Sequence, residues 1–185
     1  KESYGRAYPF LVKLHMIQEI ADAVDSVEQG AGRSQGNIGV KERQRLLRWQ
    51  ERFSVTRPTL STRGPILELR RQLAALMDDQ GEVGVSWLEH AKLCRETGNF
   101  DAATTSAAEA RTFGVPGSSL EHLEIMHVRG NTHRALQELK GMLPRIKSAD
   151  GTSLEKYASD KERKHHLSQI LLKEAQWTAD MGQGT

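Results

Sequence analysis

The stretch WLEHAKLCRETGNFDAA, from Trp87 to Ala103, shares a pattern with the stretch LEIMHVRGNTHRA, from Leu123 to Ala135. When Gly98 is aligned with Gly130 the offset is 32 residues, and the two terminal alanines then coincide. In both stretches, apolar residues three or four positions apart precede a Gly-Asn pair, and a second helical run follows it. That spacing is typical of two amphipathic helices joined by a tight turn, so the sequence predicts two copies of a helical hairpin.

The residues that recur in these hairpins have physical reasons for their positions. Gly98 and Gly130 stand where a helix C-terminus favours left-handed backbone, which glycine adopts without a Cβ clash. An alanine at a helix crossing lets the two backbones approach closely. The pattern resembles the tetratricopeptide repeat, and we predict an all-α fold of antiparallel helical hairpins stacked as a tetratricopeptide-like α-solenoid. The predicted structural repeat positions are Trp87, Ala91, Gly98, Ala103, Gly130 and Ala135.

Helical periodicity covers the rest of the chain, and strand patterns are nearly absent. The first segment carries apolar residues at steps of three and four, which places them on one face of a helix: Phe10, Leu11, Leu14, Ile17, Ile20, Ala21 and Val24. The predicted organisation is one helical-repeat segment, with a helix at 1–29, a flexible Gly-rich loop at 30–39, a helix pair at 40–79, repeat hairpins at 85–113 and 118–147, and a long helix at 153–180.

Composition excludes several classes of protein. The 185 residues have a net charge of +2 with both signs interspersed, which is typical of a solvated surface and not of a nucleic-acid-binding face. A single cysteine, Cys94, excludes an internal disulfide and favours a reducing compartment. No apolar run approaches the roughly 20 residues that span a bilayer. The chain does not open on Met, and we expect it to be a piece of a longer protein.

Residue patterns that carry chemistry are scarce. His90 and Cys94 are four positions apart and could offer two metal ligands, but no third ligand is evident nearby. The glycines of 30–39 suggest a phosphate-binding loop only superficially, because no strand precedes them and no Lys-Ser/Thr follows. Protein-kinase motifs are missing from the chain. We therefore predict no catalytic, cofactor-binding or metal-binding residue in this chain.

Three stretches together resemble the FAT domain of the phosphatidylinositol 3-kinase-related kinases, and within these the ATR-type checkpoint kinases. They are SYGRAYPFLVKLHMIQEI (Ser3 to Ile20), RGPILELRRQL (Arg63 to Leu73) and WLEHAKLCRETGNFDAA (Trp87 to Ala103). In that family an aromatic-rich helix with a Leu-His-Met run leads to a Pro-Ile-Leu-x-Leu-Arg-Arg helix and then to a tryptophan-led hairpin. The order and spacing agree over about the first 140 residues.

The resemblance implies a parent protein that is a large nuclear Ser/Thr kinase of the DNA-damage and replication-stress checkpoint. Its ATP and Mg sites would lie in a C-terminal kinase domain outside this chain, so this segment would hold no cofactor. The segment would be a non-catalytic scaffold that clamps and regulates that domain. Its partners would be the kinase domain and neighbouring repeats, a regulatory subunit and a second copy of the parent, with no direct nucleic-acid or membrane contact.

Several residues are candidates for interaction or modification. Arg70 and Arg71 are expected to pair with carboxylates of neighbouring helices or of the missing domain. Under the alternative hypothesis, a free-standing tetratricopeptide-type adaptor, Lys92, Arg95 and Arg129 would line a groove for an acidic partner peptide. Ser34, followed by Gln35, is a candidate phosphorylation site in the glycine loop. A third hypothesis is a nucleic-acid-binding helix built on four arginines: Arg43, Arg45, Arg48 and Arg52.

Overall fold

The computed structural model describes residues 2–30, 38–147, 157 and 159–183. These residues form an all-α structure of eight helices without a β-strand. None of the described helices is long and apolar enough to cross a lipid bilayer. The chain divides into two compact units, Lys1–Glu82 and Val83–Thr185. The helices are α1 (Glu2–Gly30), α2 (Ile38–Ser54), α3 (Leu60–Leu76), α4 (Gln80–Glu96), α5 (Phe100–Thr112), α6 (Ser118–Val128), α7 (Thr132–Lys147) and α8 (Asp160–Gln183).

In the first unit, α1 packs against α2 and α3 through its polar face. The apolar face of α1 is exposed. Seven large apolar side chains of α1 are each 40–67% exposed: Phe10, Leu11, Leu14, Ile17, Ile20, Val24 and Val27. The buried residues are instead Glu19, Asp22 and Ala23. The reason is electrostatic, because α2 and α3 present arginines toward α1 and carboxylates must accompany buried guanidinium groups.

An arginine closes the turn between α2 and α3. The Arg63 guanidinium donates to the carbonyl oxygens of Phe53 (3.3 Å) and Thr56 (2.9 Å) and to the Thr56 hydroxyl (3.1 Å). Phe53 lies in the last turn of α2 and Thr56 directly after it, where carbonyls lack a donor from within the helix. The Arg63 guanidinium also lies 4.5 Å from the centroid of the Phe53 ring. Arg63 of α3 therefore supplies hydrogen-bond donors to carbonyls at the C-terminal end of α2.

The connection between α3 and α4 is shorter than the sequence predicted. Asp78 has a φ of +57°, so the backbone turns out of α3 at that residue. The Asp79 carboxylate then accepts from the Glu82 amide at 3.0 Å, in the manner of a helix N-cap. Helix α4 consequently begins at Gln80, five positions before the predicted start of the hairpin at 85. Asp78 thus ends α3 and Asp79 caps α4, so no longer loop separates the two helices.

In the second unit, the two hairpin turns have the same hydrogen bonds at an offset of 32 residues. The Asn99 amide donates to the Cys94 carbonyl (2.8 Å), and the Asn131 amide donates to the Met126 carbonyl (3.0 Å). Gly98 and Gly130 have φ values of +79° and +89°. Linkers this short place the helices of each hairpin antiparallel. The second unit is thus a true pair of repeats.

Small residues set how closely these helices pack. Ala91, Ala103 and Ala135 are fully buried, and Trp87 is half-buried beside a cluster of Leu88, Ala110 and Val115. A larger core lies between α6, α7 and α8. Its buried members are Leu120, Leu123, Ala135, Leu136, Leu139, Ile146, Ile170 and Trp177. Each helix contributes one stripe to a shared core, as stacked hairpins require.

Some predicted boundaries need correction. Tyr157 and Ser159 are not helical, so the last helix begins at Asp160 and not at 153. Tyr157 instead bonds to His166 of α8, with 2.7 Å between its hydroxyl oxygen and Nδ1. Gly30 belongs to α1, and α2 already begins at Ile38. Residues 31–37 of the predicted loop at 30–39, including Ser34, lie outside the described residues.

Candidate functional site

Two charged clusters are the chemically distinctive features of the described residues, one in each unit. The first is centred on Arg70 of α3. Its Nε donates to Glu19 Oε2 (3.0 Å) and its Nη2 to Glu19 Oε1 (2.5 Å), a two-pronged ion pair. Nη2 also donates to the Trp49 carbonyl at 2.7 Å. The side chains of Arg70 and Glu19 are only 5% and 1% exposed, so this contact ties α1, α2 and α3 together inside the first unit.

Aromatic rings surround this buried arginine. The guanidinium carbon of Arg70 is 4.8 Å from the Phe53 ring centroid and 5.5 Å from that of Trp49. Arg45, also buried, lies 5.0 Å from the same Trp49 ring. Guanidinium groups favour such positions because they are weakly hydrated and attracted to ring faces. Arg70 therefore stabilises the unit from within, and its neighbour Arg71 bonds to Glu68 one turn earlier in the same helix.

A second carboxylate of α1 binds α2. Asp22 accepts from Trp49 Nε1 at 3.2 Å and from the Arg52 guanidinium. Burial opposes the charged form, yet the hydrogen bonds from Arg52 and Gln18 hold the pKa of Asp22 below its usual value. With Arg52 paired to Asp22 and Arg45 buried, two of the four arginines predicted for a nucleic-acid-binding helix face the protein interior. That arrangement argues against the hypothesis.

Glu82, in the first turn of α4, completes the charged surroundings of Arg70 and Arg45. Burial raises the pKa of the Glu82 carboxyl to about 7, although the positive charge of Arg70 acts in the opposite direction. Between pH 4.5, the ordinary pKa of a glutamate, and about pH 7, the folded chain holds a proton on Glu82 that the unfolded chain has released. The free energy of unfolding therefore decreases as pH rises through this window.

The second unit contains a cavity of about 460 Å³ between α4, α6 and α8. Helices α4 and α6 are the first helices of the two hairpins, and α8 follows the second hairpin. Leu88, Pro116, Leu120 and Leu172 supply its apolar lining. Its charged and polar lining comes from Lys92, Arg95, Glu121, Glu124, Glu162, His165, His166, Gln169 and Lys173. This concave surface therefore carries both apolar and charged groups, and we call it the inner groove.

Ion pairs fill the floor of the inner groove. Arg95 of α4 donates to both oxygens of Glu121 (2.6 and 3.3 Å) and lies 3.3 Å from Glu124. Glu124 also pairs with Lys173 of α8 at 3.2 Å. Burial raises the pKa of Glu121, and the hydrogen bond from Arg95 offsets only part of that rise. The pairs connect three helices and leave the floor nearly neutral.

The cations predicted to hold a partner peptide already have carboxylates beside them. Lys92 lies 2.8 Å from Glu89, and Arg129 lies 3.4 Å from Asp101. Arg95 is occupied by the two glutamates of α6. An acidic peptide would have to displace Glu121 and Glu124 from Arg95, whereas the ion pairs of Lys92 and Arg129 are exposed and weak. Arg95 is therefore poorly placed to capture a peptide carboxylate.

The residues considered for metal binding have other contacts. His90 Nδ1 lies 2.8 Å from the Ser106 hydroxyl, and Cys94 is buried with its sulfur 3.7 Å from the same nitrogen. Across the part of the chain that the structure describes, no group of three or more His, Cys, Asp or Glu side chains could hold a metal ion. The His90 and Ser106 pair joins α4 to α5, which is a packing role.

The arrangement of hairpins agrees with a comparison against protein families. The model of the FAT domain matches residues 1–185.

The chain belongs to the FAT domain family.

Curated relatives of this FAT segment are serine/threonine-protein kinases named ATR. The kinase of Arabidopsis thaliana is 31% identical over 145 residues, which is 77% of this chain and 5% of that protein. That of Oryza sativa subsp. indica is 31% identical over 144 residues with the same coverage. The kinase of Drosophila melanogaster is 21% identical over 175 residues, 86% of this chain and 7% of that protein. No solved structure matches significantly. The FAT segment is thus of the ATR type and spans a small part of these relatives.

Sequence reasoning missed the carboxylates that complete both clusters of the FAT segment. Glu19 sits in a helix whose apolar residues suggested the opposite face as the core, and Glu121 and Glu124 sit on a short helix without an obvious polar stripe. A signal existed for the first cluster. The Arg70-Arg71 pair, next to the apolar residues of α3, predicts a carboxylate partner nearby, although the sequence does not say which one.

Proposed function

We propose that this FAT segment is a non-catalytic helical-repeat scaffold of a nuclear Ser/Thr protein kinase that acts in the DNA-damage and replication-stress checkpoint. The observation that carries the proposal is the match of the whole chain to the FAT domain, together with 31% identity to plant ATR kinases. The segment positions and regulates a kinase domain located elsewhere in the parent protein. ATP and Mg bind to that domain, and the segment contributes rigid helical layers.

The internal ion pairs support this role. Arg70 and Arg95, two of the residues considered for interaction, connect helices within their own units. A scaffold must keep the distance between its two ends fixed, and buried pairs with several hydrogen bonds restrict how helices slide. Partners of the parent kinase include its kinase domain, the neighbouring repeats, a regulatory subunit and a second copy.

The test is a chimera in which this segment replaces the matching segment of the Arabidopsis ATR kinase. We expect the chimera to keep Ser/Thr kinase activity and to lose most of it when the segment carries Arg70→Ala. Arg48→Ala, which changes an exposed arginine of α2, is the matched control and leaves activity unchanged. An isolated segment that transferred phosphate from ATP would contradict the proposal, as would a well-expressed, folded chimera without kinase activity.

The inner groove is the observation that favours the alternative, a tetratricopeptide-type adaptor that binds a partner peptide. Under this hypothesis an acidic C-terminal peptide binds the isolated chain with micromolar affinity and Lys92→Glu abolishes binding. The carboxylates paired with Lys92 and Arg95 weigh against it. Isothermal titration with such a peptide separates the two functions, because the scaffold role requires no peptide binding.

A further inference from the structure

Met77 receives a hydrogen bond from a buried arginine of another helix. Arg45 of α2 is 1% exposed, and its Nη1 donates to the Met77 sulfur at 2.7 Å. A thioether sulfur is a weak acceptor, whereas a guanidinium is a donor that is always charged. Arg63 and Arg70 of the same unit donate instead to carbonyl and carboxylate oxygens. Arg45 therefore directs a strong donor at an atom that would be a much better acceptor if it carried an oxygen.

The Met77 side chain leaves the backbone at a helix end. Met77 is the C-cap residue of α3 and is only partly buried. Its amide donates to the carbonyls of Leu73 (3.1 Å) and Ala74 (3.2 Å), and the backbone turns away at Asp78, whose φ is +57°. A methionine side chain is unbranched and has three rotatable bonds, so it can readjust when its sulfur changes. This residue is thus open to solvent and to a small oxidant.

Three other methionines have apolar surroundings. Met126, Met142 and Met181 pack against the core formed by α6, α7 and α8. An oxygen added to one of these sulfurs would enter that core, and burying a polar group away from a hydrogen-bond donor is costly. The same oxygen on Met77 would meet a guanidinium that already contacts the sulfur. The fold therefore treats the oxidised form of Met77 differently from that of the other three.

We propose that Met77 is a site of reversible oxidation, at which methionine sulfoxide forms in the folded chain and is held by Arg45. The oxidant is a peroxide. Its O–O bond breaks, an S–O bond forms at a lone pair of the sulfur, and with hydrogen peroxide the other oxygen leaves as water with both protons. The sulfur is oxidised and the peroxide is reduced. Methionine sulfoxide reductases reverse the change.

Oxidation strengthens the contact between α2 and the end of α3. The sulfoxide oxygen replaces a weak acceptor, and hydrogen bonds with a charged donor are roughly twice as strong as neutral ones. Oxidation of methionine commonly disrupts a packed core. At Met77 it has the opposite effect, so the first unit resists unfolding better in its oxidised form.

Substitutions that imitate the two forms provide the first test. Glutamine carries an oxygen on its δ atom, as the sulfoxide does, and leucine imitates the reduced side chain. We expect a higher urea midpoint for Met77→Gln than for Met77→Leu. The matched pair is Met142→Gln and Met142→Leu, for which we expect the reverse order because Met142 packs against an apolar core. Circular dichroism verifies that all four variants are helical.

A second background tests the role of Arg45. In chains that also carry Arg45→Met, the advantage of glutamine over leucine at residue 77 is expected to disappear, since the donor is gone. An advantage of the same size in both backgrounds would mean that a polar side chain at a helix end is sufficient, without Arg45.

Direct oxidation of the whole chain does not depend on the Arg45 variant. The folded chain is treated with dilute hydrogen peroxide, and peptide mass spectrometry follows each methionine. We expect Met77 to gain oxygen before Met126 and Met142, while the circular dichroism of the chain stays native. The Met77→Leu chain receives the same treatment as the control. The difference in urea midpoint between the two chains is expected to grow on oxidation and to return to its initial value after treatment with the reductases.

Three results would overturn the proposal. The first is a Met77 that remains unoxidised after Met126 and Met142 have reacted. The second is a urea midpoint of Met77→Gln below that of Met77→Leu. The third is a glutamine advantage that Arg45→Met leaves unchanged.

Discussion

Replacement of Arg70 by alanine tests the buried ion pair on which the first unit depends. The change removes two hydrogen bonds to Glu19 and one to the Trp49 carbonyl. It also leaves the Glu19 carboxylate, 1% exposed, without its cation. An uncompensated buried charge is far more costly than a lost surface pair, so the effect is expected to be large.

The magnitude follows from that burial. Breaking a buried pair by removing one partner costs about 3–5 kcal/mol, against about 0.2–1 kcal/mol for an exposed pair. Replacing both partners by apolar side chains, as in Glu19→Leu with Arg70→Met, removes the stranded charge. The Trp49 carbonyl, which lies inside α2, loses only its additional donor from Arg70, at about 0.5–1.5 kcal/mol. The double variant is therefore expected to be more stable than Arg70→Ala alone.

The assay combines urea unfolding, followed by circular dichroism, with hydrogen exchange resolved by peptide. Arg70→Ala should accelerate exchange in peptides of α1 and α3, while peptides of α7 in the second unit serve as the internal control. A loss below about 1 kcal/mol for Arg70→Ala, as for a surface pair, would refute the reasoning. A double variant less stable than Arg70→Ala would do the same.

Three further predictions concern single residues. Gly84→Ala places a Cβ 2.6 Å from that of Phe113 and should destabilise the second unit by about 1–3 kcal/mol in urea unfolding. Gly141→Ala is the control: its new Cβ has no atom within 4 Å, and the change should stabilise α7 by up to about 1 kcal/mol. Glu82→Gln should remove the contribution of Glu82 to the loss of stability between pH 4.5 and about 7. It should raise the free energy of unfolding at about pH 8 by up to about 3 kcal/mol, as measured by urea titrations at both ends of that window. Gly98→Ala, forced to keep a φ of +79°, should lower the free energy of unfolding by about 1–2 kcal/mol, and Gly98→Asn by less; equal losses would point to a cause other than backbone conformation.

The repeat geometry of the second unit could be predicted because it depends on local rules. A glycine after a helix, a Gly-Asn pair and an alanine at a fixed spacing each restrict the backbone near their own position. The match of hydrogen bonds between the turns at Gly98 and Gly130 shows how completely these rules describe a hairpin. The all-α fold followed from the same periodicity.

The inner face of α1 could not be predicted in this way. Hydrophobic periodicity reports which face of a helix is apolar, and it does not report whether that face meets the protein's own core or another molecule. The deciding contacts of Glu19 lie 51 residues away at Arg70, and no local pattern encodes such a partner. The same limit applies to Glu121 and Glu124, whose roles depend on cations from two other helices.

Glu124 is shared between Arg95 of α4 and Lys173 of α8, which sit on either side of it. One carboxylate cannot follow both cations if they separate, so a displacement of α8 changes the force that Glu124 exerts on α4. Helices α4, α6 and α8 are therefore coupled through a single carboxylate, and removing Glu124 would leave both cations without this partner at once.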